Sequence, residues 1–323
     1  MNIPKEVIKA IKENEGFLGH IHLSPDADSI GSTLALKLGL EQLDKDLTLY
    51  SEDRLPDSSE FLPSIDSVSH EKLPEMVKKQ IFNVYISLDT PKWGLITHHL
   101  PGPDFQKPVI NIDHHPGNKI KGTYQWIDTK ASSAAEMVFY LLKELKIDIT
   151  PEIATCLLYG LVGDTGAFQN FNTSSQSLRM AAILIEAGGD YDRCLVELSR
   201  NLKYRQLRAW GTMLNNLKAS ADNSFVYTTL SFEDSQDIDD LGMSRFANTL
   251  ISRVKDTNFG AVLVEKEEGF TYGSIRSRKP EFDVSKIAEK LNGGGHKNAA
   301  GFRLEKPLIK AEQEFLDAVK STS

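Results

Sequence analysis

The hydrophobic pattern of the first half of the chain alternates short apolar runs with longer amphipathic stretches. Runs rich in β-branched and aromatic residues predict strands over 17–22, 46–51, 83–89 and 108–113. Apolar residues at helical spacing, with capping residues before them, predict helices that cover 29–43, begin near Ser132 and at Pro151, and cover 174–190. Strands that alternate with helices are typical of a parallel sheet covered by helices. We therefore predict a doubly wound α/β domain.

The pattern changes near residue 190. The segment 192–221 is helical and polar, and we interpret it as a helical linker, although it could also form the edge of the first domain. Alternating runs then predict strands over 224–232, 259–266 and 269–277, with a helix near 244–254. We therefore expect a first domain over 1–191 and a smaller α+β domain over 222–323.

Composition and charge exclude several classes of protein. The 323 residues carry 37 Lys and Arg against 45 Asp and Glu, and a net charge of −8 argues against a protein that coats duplex nucleic acid. No apolar run approaches the roughly 20 residues of a membrane span, and the N-terminus has no signal-peptide pattern. The 2 cysteines are too few for a disulfide framework. We expect a cytoplasmic protein without membrane contact, and a homodimer is compatible with the sequence.

Acidic and imidazole side chains follow three of the predicted strands, and a further carboxylate follows an apolar helix. These residues are His22, Asp26, Asp28, Asp89, Asp113, His114, His115 and Asp164. Ligands of open α/β sheets bind beyond the carboxyl ends of the strands, where crowded carboxylates repel one another. Two divalent cations would compensate this charge and could clamp a phosphate. Oxygen and nitrogen donors without thiolate favour Mn²⁺, then Mg²⁺, Co²⁺ or Zn²⁺.

Each of these residues also has an ordinary structural interpretation. Asp26 and Asp28 are typical helix-capping residues, and His20 shares a strand face with His22, so the pattern leaves open which histidine is a ligand. The pair His98-His99 lies in a helical stretch without an adjoining acid, and we assign it to structure. The metal hypothesis therefore rests on the convergence of four chain positions on one chemistry.

The second domain contains a candidate anion site. The glycine run 293–295 would let backbone amides approach an anion, and His296 follows it directly. In the strand before it, Ser274, Arg276 and Arg278 alternate on one face, and arginine suits bidentate contact with phosphate. A plain loop and a solvated edge strand would explain the same residues.

Five segments of the chain, in order, resemble the motifs of the DHH phosphoesterases and of their associated C-terminal domain. They are HLSPDADSIGS (22–32), ISLDT (86–90), NIDHH (111–115), VGDTGAF (162–168) and GGGHKNAAGF (293–302). The stretches NFNTSSQSL (170–178) and SIRSR (274–278) are most similar to the nano-RNase type, described as bifunctional oligoribonucleases and 3′-phosphoadenosine 5′-phosphate (pAp) phosphatases. Ala27 stands where many relatives carry Gly, which changes no ligand.

The resemblance implies a role for each candidate residue. It selects His22 over His20, because only His22 fits the His-x-x-Pro-Asp spacing. One Mn²⁺ would be bound by His22, Asp26 and Asp89, and a second by Asp28, Asp89, His114 and Asp164, with Asp89 bridging. Asp113 would orient His114, and His115 would act on the substrate phosphate. The second domain would hold the substrate in an interdomain cleft through Arg276, Ser277, Gly293, Gly294, Gly295 and His296.

The resemblance also implies an activity. We expect a two-metal phosphoesterase that hydrolyses short single-stranded RNA or linear dinucleotides to 5′-mononucleotides, and pAp to AMP and phosphate. The same ligands would serve an exopolyphosphatase or another hydrolase of small phosphoesters. A non-catalytic nucleotide-binding or RNA-binding module is a further alternative, but such a protein should have lost at least one of the metal ligands, and all of them are present.

Overall fold

The computed structural model describes residues 1–70, 82–97, 107–200, 203–236 and 240–322. The chain forms two compact units, Met1–Asn201 and Leu202–Ser323. Within the described ranges, every helix is too short or too polar to cross a lipid bilayer. The pair His98-His99, which we assigned to structure, lies outside the described residues.

The first unit contains a five-stranded sheet in which all neighbouring strands are parallel. In chain order the strands are β1 (Gly16–His20), β2 (Asp46–Tyr50), β3 (Val84–Leu88), β4 (Val109–Asp113) and β5 (Tyr124–Ile127). Their order in the sheet is β2-β1-β3-β4-β5. The predicted parallel α/β sheet is thus confirmed. β5 was not predicted, because it is only 4 residues long and largely half-exposed, so it has no strong apolar pattern.

Helices surround this sheet, and most of them begin at a residue whose side chain caps the first turn. They are α1 (Lys5–Glu13), α2 (Ala27–Glu41), α3 (Ala134–Glu144), α4 (Pro151–Asp164), α5 (Ser175–Glu186) and α6 (Tyr191–Ser199). Asp26, Ser133, Thr150 and Ser174 accept hydrogen bonds from backbone N–H groups of the helices that follow them. α5 ends before Gly188, which has a φ of 89°.

Glycines allow α2 and α4 to pack in close contact. A Cβ atom on Gly31 would lie 2.3 Å from the carbonyl oxygen of Cys156, and a Cβ atom on Gly163 would lie 2.3 Å from Cβ of Ala27. A Cβ atom on Gly160 would lie 2.8 Å from Oδ1 of Asp28. Any larger side chain at these positions would push the helices apart. This packing brings the first turn of α2 beside the last turns of α4.

The second unit contains a six-stranded mixed sheet with helices. Its strands are β6 (Lys218–Ala219), β7 (Phe225–Leu230), β8 (Phe259–Glu267), β9 (Phe270–Ser277), β10 (Gly294–His296) and β11 (Ala299–Leu304), in the order β10-β11-β9-β8-β7-β6. β7 and β8 are parallel, and the other neighbours are antiparallel. The helices are α7 (Tyr204–Asn215), α8 (Asp240–Thr249), α9 (Ser285–Lys290) and α10 (Leu308–Lys320). This is the smaller α+β unit expected from the sequence.

Two features of this unit differ from the sequence interpretation. The segment 192–221 is divided between the units, because α6 belongs to the first and α7 and β6 belong to the second. The glycine run is not a plain loop, because Gly294 and Gly295 pair with Gly301 and Ala300 of β11. Gly295 has a φ of 144°, and a Cβ atom there would lie 2.5 Å from the carbonyl oxygen of Ala299. Glycine is therefore required at 295 for the strand pairing rather than for an open loop.

Candidate metal centre

The side chains proposed as metal ligands come together at the carboxyl ends of β1, β3 and β4. One group is His22, Asp26 and Asp89, and another is Asp28, His114 and Asp164; within each group the potential ligand atoms lie within 4.8 Å of one another. A third group, Asp89, His114 and His115, meets the same criterion. Four separate segments of the chain contribute to these groups. The convergence expected from the sequence is therefore present in the structure.

Asp89 belongs to the first group and also lies close to His114 of the second. It follows β3 directly, is 2% exposed, and adopts a left-handed conformation with a φ of 54°. Its Oδ1 lies 3.4 Å from Nε2 of His114, and its Oδ2 lies 3.9 Å from Nε2 of His22. Oδ1 is buried and accepts no hydrogen bond from the described residues. A buried carboxylate oxygen without a donor is costly, and a cation in this position would compensate it.

His22 faces the first group through one defined nitrogen. Its Nδ1 donates a hydrogen bond to the carbonyl oxygen of Leu23 at 2.8 Å, so Nε2 points towards the acids, 3.5 Å from Oδ2 of Asp26. Burial alone would lower the pKa of His22, but Asp26 and Asp89 raise it to about 10. The carboxylates around His22 thus favour positive charge at this position, which a bound cation could also supply.

His20 is directed away from these groups. Its Nε2 lies 2.8 Å from Oγ1 of Thr90, its Nδ1 lies 2.8 Å from the hydroxyl of Tyr85, and the Tyr85 hydroxyl is hydrogen-bonded to that of Tyr50. Burial, with a smaller contribution from His22, lowers the pKa of His20 to about 3. His20 is thus a neutral member of a buried hydrogen-bond network, and the structure places His22 rather than His20 among the potential ligands.

The side chain of Asp28, in the first turn of α2, is hydrogen-bonded to the first turn of α3. It is 3% exposed and accepts hydrogen bonds from the backbone N–H groups of Ala134 and Ala135 at 2.6 and 2.9 Å. The carboxylate therefore occupies the N-terminal end of α3, where the helix dipole favours negative charge. Burial raises the pKa of Asp28 well above its usual range, and the neighbouring Asp89 and Asp164 raise it further. This charge repulsion would be relieved by a bound cation.

His114 and Asp164 complete the second group. Nε2 of His114 lies 3.8 Å from Oδ2 of Asp28 and 3.8 Å from Oδ2 of Asp164. Burial would lower the pKa of His114, but Asp89, Asp164 and Asp28 raise it well above its usual value. Burial raises the pKa of Asp164, the last residue of α4, to about 6, although His114 lowers it. The oxygen and nitrogen donors of both groups fit Mn²⁺ and similar divalent cations.

Asp113 orients His115, and not His114 as the resemblance implied. Its Oδ1 accepts a hydrogen bond from Nδ1 of His115 at 2.7 Å, whereas it contacts His114 only through the backbone N–H. The ring of His114 donates instead to the carbonyl oxygen of Ala131 at 3.4 Å. The Nδ1 of His115 also lies 3.5 Å from Oδ1 of Asp89. The shorter bond is the one to Asp113, so Asp113 determines the orientation of the His115 ring.

Two asparagines that the sequence analysis did not single out hold the acids in place. The amide of Asn118 donates to the carbonyl oxygen of Thr90 at 3.0 Å and to Oδ2 of Asp113. The amide of Asn172 donates to Oδ2 of Asp164 at 3.0 Å. Asn118 follows the DHH motif by three positions and Asn172 lies in NFNTSSQSL, so proximity to the motifs was their only signal.

The candidate substrate-binding residues of the second unit lie on two different faces of its sheet. Across the strands, Arg276 is opposite Ala299, and Ala299 is opposite His296, so Arg276 and His296 share one face with a small residue between them. Ser277 points to the other face and donates to the carbonyl oxygen of Lys279 at 2.6 Å. Burial lowers the pKa of Arg276 to about 10, so its guanidinium remains charged at neutral pH. Ser277 and Arg276 thus face opposite sides of β9, and substrate contact by these residues stays a prediction.

Comparison with known proteins shows the family. Residues 18–161 match the DHH family, N-terminal domain, and residues 222–322 match the DHHA1 domain. A bifunctional oligoribonuclease and PAP phosphatase of Thermus thermophilus is 33% identical, over 99% of this chain and 93% of that protein. A protein of the same description from Bacillus subtilis is 27% identical, over 92% of this chain and 91% of that protein.

A solved structure extends the comparison to three dimensions. The crystal structure of an exopolyphosphatase-related protein from Bacteroides fragilis has a TM-score of 0.89 and 25% sequence identity, over 99% of this chain and 97% of that chain. Together with the two domain matches and the acidic and histidine groups described above, these relationships identify the protein class. The chain belongs to the DHH family of phosphoesterases, which are metal-dependent hydrolases of phosphate esters.

Proposed function

We propose that this phosphoesterase hydrolyses very short RNA to 5′-mononucleotides and also removes the 3′-phosphate of pAp. The observation that carries the proposal is the pair of histidine–aspartate groups on either side of Asp89, whose buried Oδ1 lacks a donor among the described residues. The relatives from Thermus thermophilus and Bacillus subtilis, which this chain matches over nearly its whole length, are described with these two activities.

In this proposal two divalent cations occupy the two groups. His22, Asp26 and Asp89 would hold one, and Asp28, Asp89, His114 and Asp164 the other, with Mn²⁺ the best match to the donor set. When bound, such a pair supplies Lewis-acid stabilisation of phosphate charge and activation of a water nucleophile. The hydrogen bonds from α3 to Asp28, and from His114 to Ala131, fix these side chains before substrate binds.

His115 would act on the substrate in this mechanism. Its Nδ1 is hydrogen-bonded to Asp113, so Nε2 is the atom that would stabilise the phosphate or protonate the leaving oxygen. Burial would lower the pKa of His115, but the bond to Asp113 and the charge of Asp89 raise it. A raised pKa favours the protonated imidazole, the form that a general acid requires.

The second unit would bind the remainder of the substrate. Arg276, His296 and the backbone of Gly293–Gly295 would anchor the 5′-phosphate of the first nucleotide. The substrates in this proposal are a short single-stranded RNA, a linear dinucleotide or pAp. We expect the protein to act in the cytoplasm and not to bind duplex nucleic acid. That the protein forms a homodimer also stays a prediction.

The test is a panel of substrates incubated with metal-free protein to which Mn²⁺ is then added. We expect mononucleotide release from pApA and phosphate release from pAp, both abolished by EDTA. The Bacteroides fragilis structure described as exopolyphosphatase-related makes polyphosphate the necessary third substrate. Faster turnover of polyphosphate than of pApA or pAp would favour an exopolyphosphatase. Metal binding without turnover of any of the three would favour a non-catalytic binding protein.

A further inference from the structure

Residues at the start of α3 and just before it contact two members of the group Asp28, His114 and Asp164 directly. Ala131 accepts a hydrogen bond from Nδ1 of His114 through its carbonyl oxygen, and the first backbone N–H groups of α3 donate to Asp28. Both side chains are buried. Two of the three members are therefore hydrogen-bonded to residues around the N-terminus of α3. Asp164 has no such direct contact, and its side chain is 32% exposed.

Asn172 connects Asp164 to this same segment. Its Nδ2 lies 2.8 Å from the carbonyl oxygen of Ser132, 3.0 Å from Oδ2 of Asp164 and 3.2 Å from the carbonyl oxygen of Asp164. The amide orientation follows from these neighbours, because all three are acceptors and a flipped amide would place an oxygen against them. Asn172 thus joins the helix terminus to the one member of the group that the terminus does not touch.

The hydrogen bond from Asn172 is the constraint on the Asp164 carboxylate. In the described part of the chain, no other side chain donates a hydrogen bond to the carboxylate oxygens of Asp164. Asn170 also contacts Asp164, but its Nδ2 donates only to the backbone carbonyl oxygen, at 2.9 Å. The two asparagines therefore support different parts of the same residue: Asn170 supports the end of α4, and Asn172 also fixes the direction of the carboxylate.

We propose that Asn172 is a positioning residue that presents the carboxylate of Asp164 to the second cation. The proposal rests on the proposed function, since it requires that Asp28, His114 and Asp164 bind a metal. Loss of a hydrogen bond that orients a metal-binding side chain lowers metal affinity about tenfold to a hundredfold. Without Asn172, Asp164 would sample several rotamers, and only part of this population would face the group.

The experiment measures Mn²⁺ binding to metal-free protein, with free Mn²⁺ followed by electron paramagnetic resonance. Asp164→Asn identifies the binding step that depends on the second group. Asn172→Ala should weaken this same step by about tenfold to a hundredfold and change the other step much less. Asn170→Ala is the matched control, and it should leave both dissociation constants close to wild type. Adding Asn172→Ala to Asp164→Asn should cause no further loss, because Asn172 acts through Asp164.

The outcomes are distinguishable. Equal Mn²⁺ binding by wild type and Asn172→Ala would overturn the inference, as would equal losses in Asn170→Ala and Asn172→Ala, which would indicate backbone support alone. A wild-type protein that binds no Mn²⁺ would overturn the proposed function itself. If thermal unfolding shows that Asn172→Ala is unfolded, Asn172→Ser gives the same comparison, because its side chain is too short to reach both Ser132 and Asp164.

Discussion

Nδ1 of His115 lies 2.7 Å from Oδ1 of Asp113, while Nδ1 of the adjacent His114 lies 3.4 Å from the carbonyl oxygen of Ala131. Neighbours in sequence therefore have different hydrogen-bond partners. His114 directs Nε2 towards three carboxylates, whereas the carboxylate of Asp113 both orients His115 and favours its protonated form. This difference is consistent with the proposed roles, in which His114 binds a cation and His115 acts on the substrate.

Substitution of each histidine should affect a different measurable quantity. His114→Ala should reduce bound Mn²⁺ below two per chain, because the second group loses its nitrogen donor. His115→Ala should retain its metal and lower kcat by about a hundredfold or more, the usual contribution of a general acid. Asp113→Asn should resemble His115→Ala, since it removes the orienting carboxylate. Metal analysis combined with kcat on pApA separates these cases, and the reverse pattern would overturn the assignment.

Asp89 should be the residue least tolerant of substitution. If it bridges both cations, Asp89→Asn should lose activity by several orders of magnitude, because an amide bridges cations poorly. Asn is the matched replacement, since it tolerates the left-handed conformation that Asp89 adopts. The fold should therefore persist, with wild-type circular dichroism and a similar Tm of the metal-free protein. Near-normal turnover of Asp89→Asn with Mn²⁺ would exclude a bridging role.

Stability of the metal-free protein should fall as the pH rises. The pKa of His22 is raised from 6.5 to about 10 and that of Asp164 from 3.8 to about 6, so the folded protein holds protons that the unfolded chain releases. Each such contribution to stability is complete below the unfolded pKa and is lost as pH rises through the folded pKa. Asp26, whose pKa is lowered, acts in the opposite sense, in the acid range.

The measurement is the Tm between pH 6 and pH 9 in EDTA and in excess Mg²⁺. In EDTA the Tm should decrease across this range, because most of it lies between the unfolded pKa of His22, 6.5, and its folded pKa of about 10. With the cation bound, the decrease should be much smaller, because the metal replaces the protons. His22→Gln should flatten the EDTA curve. Parallel Tm curves in EDTA and Mg²⁺ would contradict the claim that cations and protons compete at this site.

Most of the fold could be predicted from the sequence because its local signals are strong. Runs rich in β-branched residues mark β3 and β4, and Pro151 and Ser174 mark the starts of α4 and α5. β5 was missed because a short, half-exposed edge strand has little apolar pattern. The glycine run was interpreted as a loop because its pairing with β11 depends on a close backbone approach that residue type alone does not reveal.

The candidate site was also predictable only where its signals are local in the sequence. The ligand types were recognisable because acids and histidines directly follow strands, but their supporting contacts come from distant segments. Asn172 reaches Ser132 across 40 positions, and Asp28 reaches α3 across more than 100. Hydrogen bonds between residues so far apart along the chain leave no periodic signal in a single sequence. The choice of Asp113 as a partner for His114 failed for a similar reason, since the direction of an imidazole depends on its tertiary neighbours.

The second unit should determine which end of the substrate is recognised. Removal of the first nucleotide of a 5′-phosphorylated RNA breaks the bond between phosphorus and that nucleotide's 3′ oxygen, and dephosphorylation of pAp breaks the same kind of bond. An anchor for the 5′-phosphate would therefore place either phosphorus at the same position. Arg276 and His296 share one sheet face, separated by Ala299, and could contact such a phosphate together.

The comparison of pApA with ApA, which lacks the 5′-phosphate, tests this anchor. A charge-assisted hydrogen bond contributes about 1.5–3 kcal/mol, or roughly tenfold to a hundredfold in kcat/KM. Wild type should prefer pApA by at least this factor, and Arg276→Ala should remove most of the preference while leaving the rate on ApA nearly unchanged. Arg276→Lys should restore only part of it, because lysine lacks the bidentate geometry.

Ser277→Ala should retain the preference, since Ser277 faces the opposite side of β9 and is hydrogen-bonded to Lys279. Equal rates for pApA and ApA in wild type would overturn the anchor and direct attention to polyphosphate or another substrate.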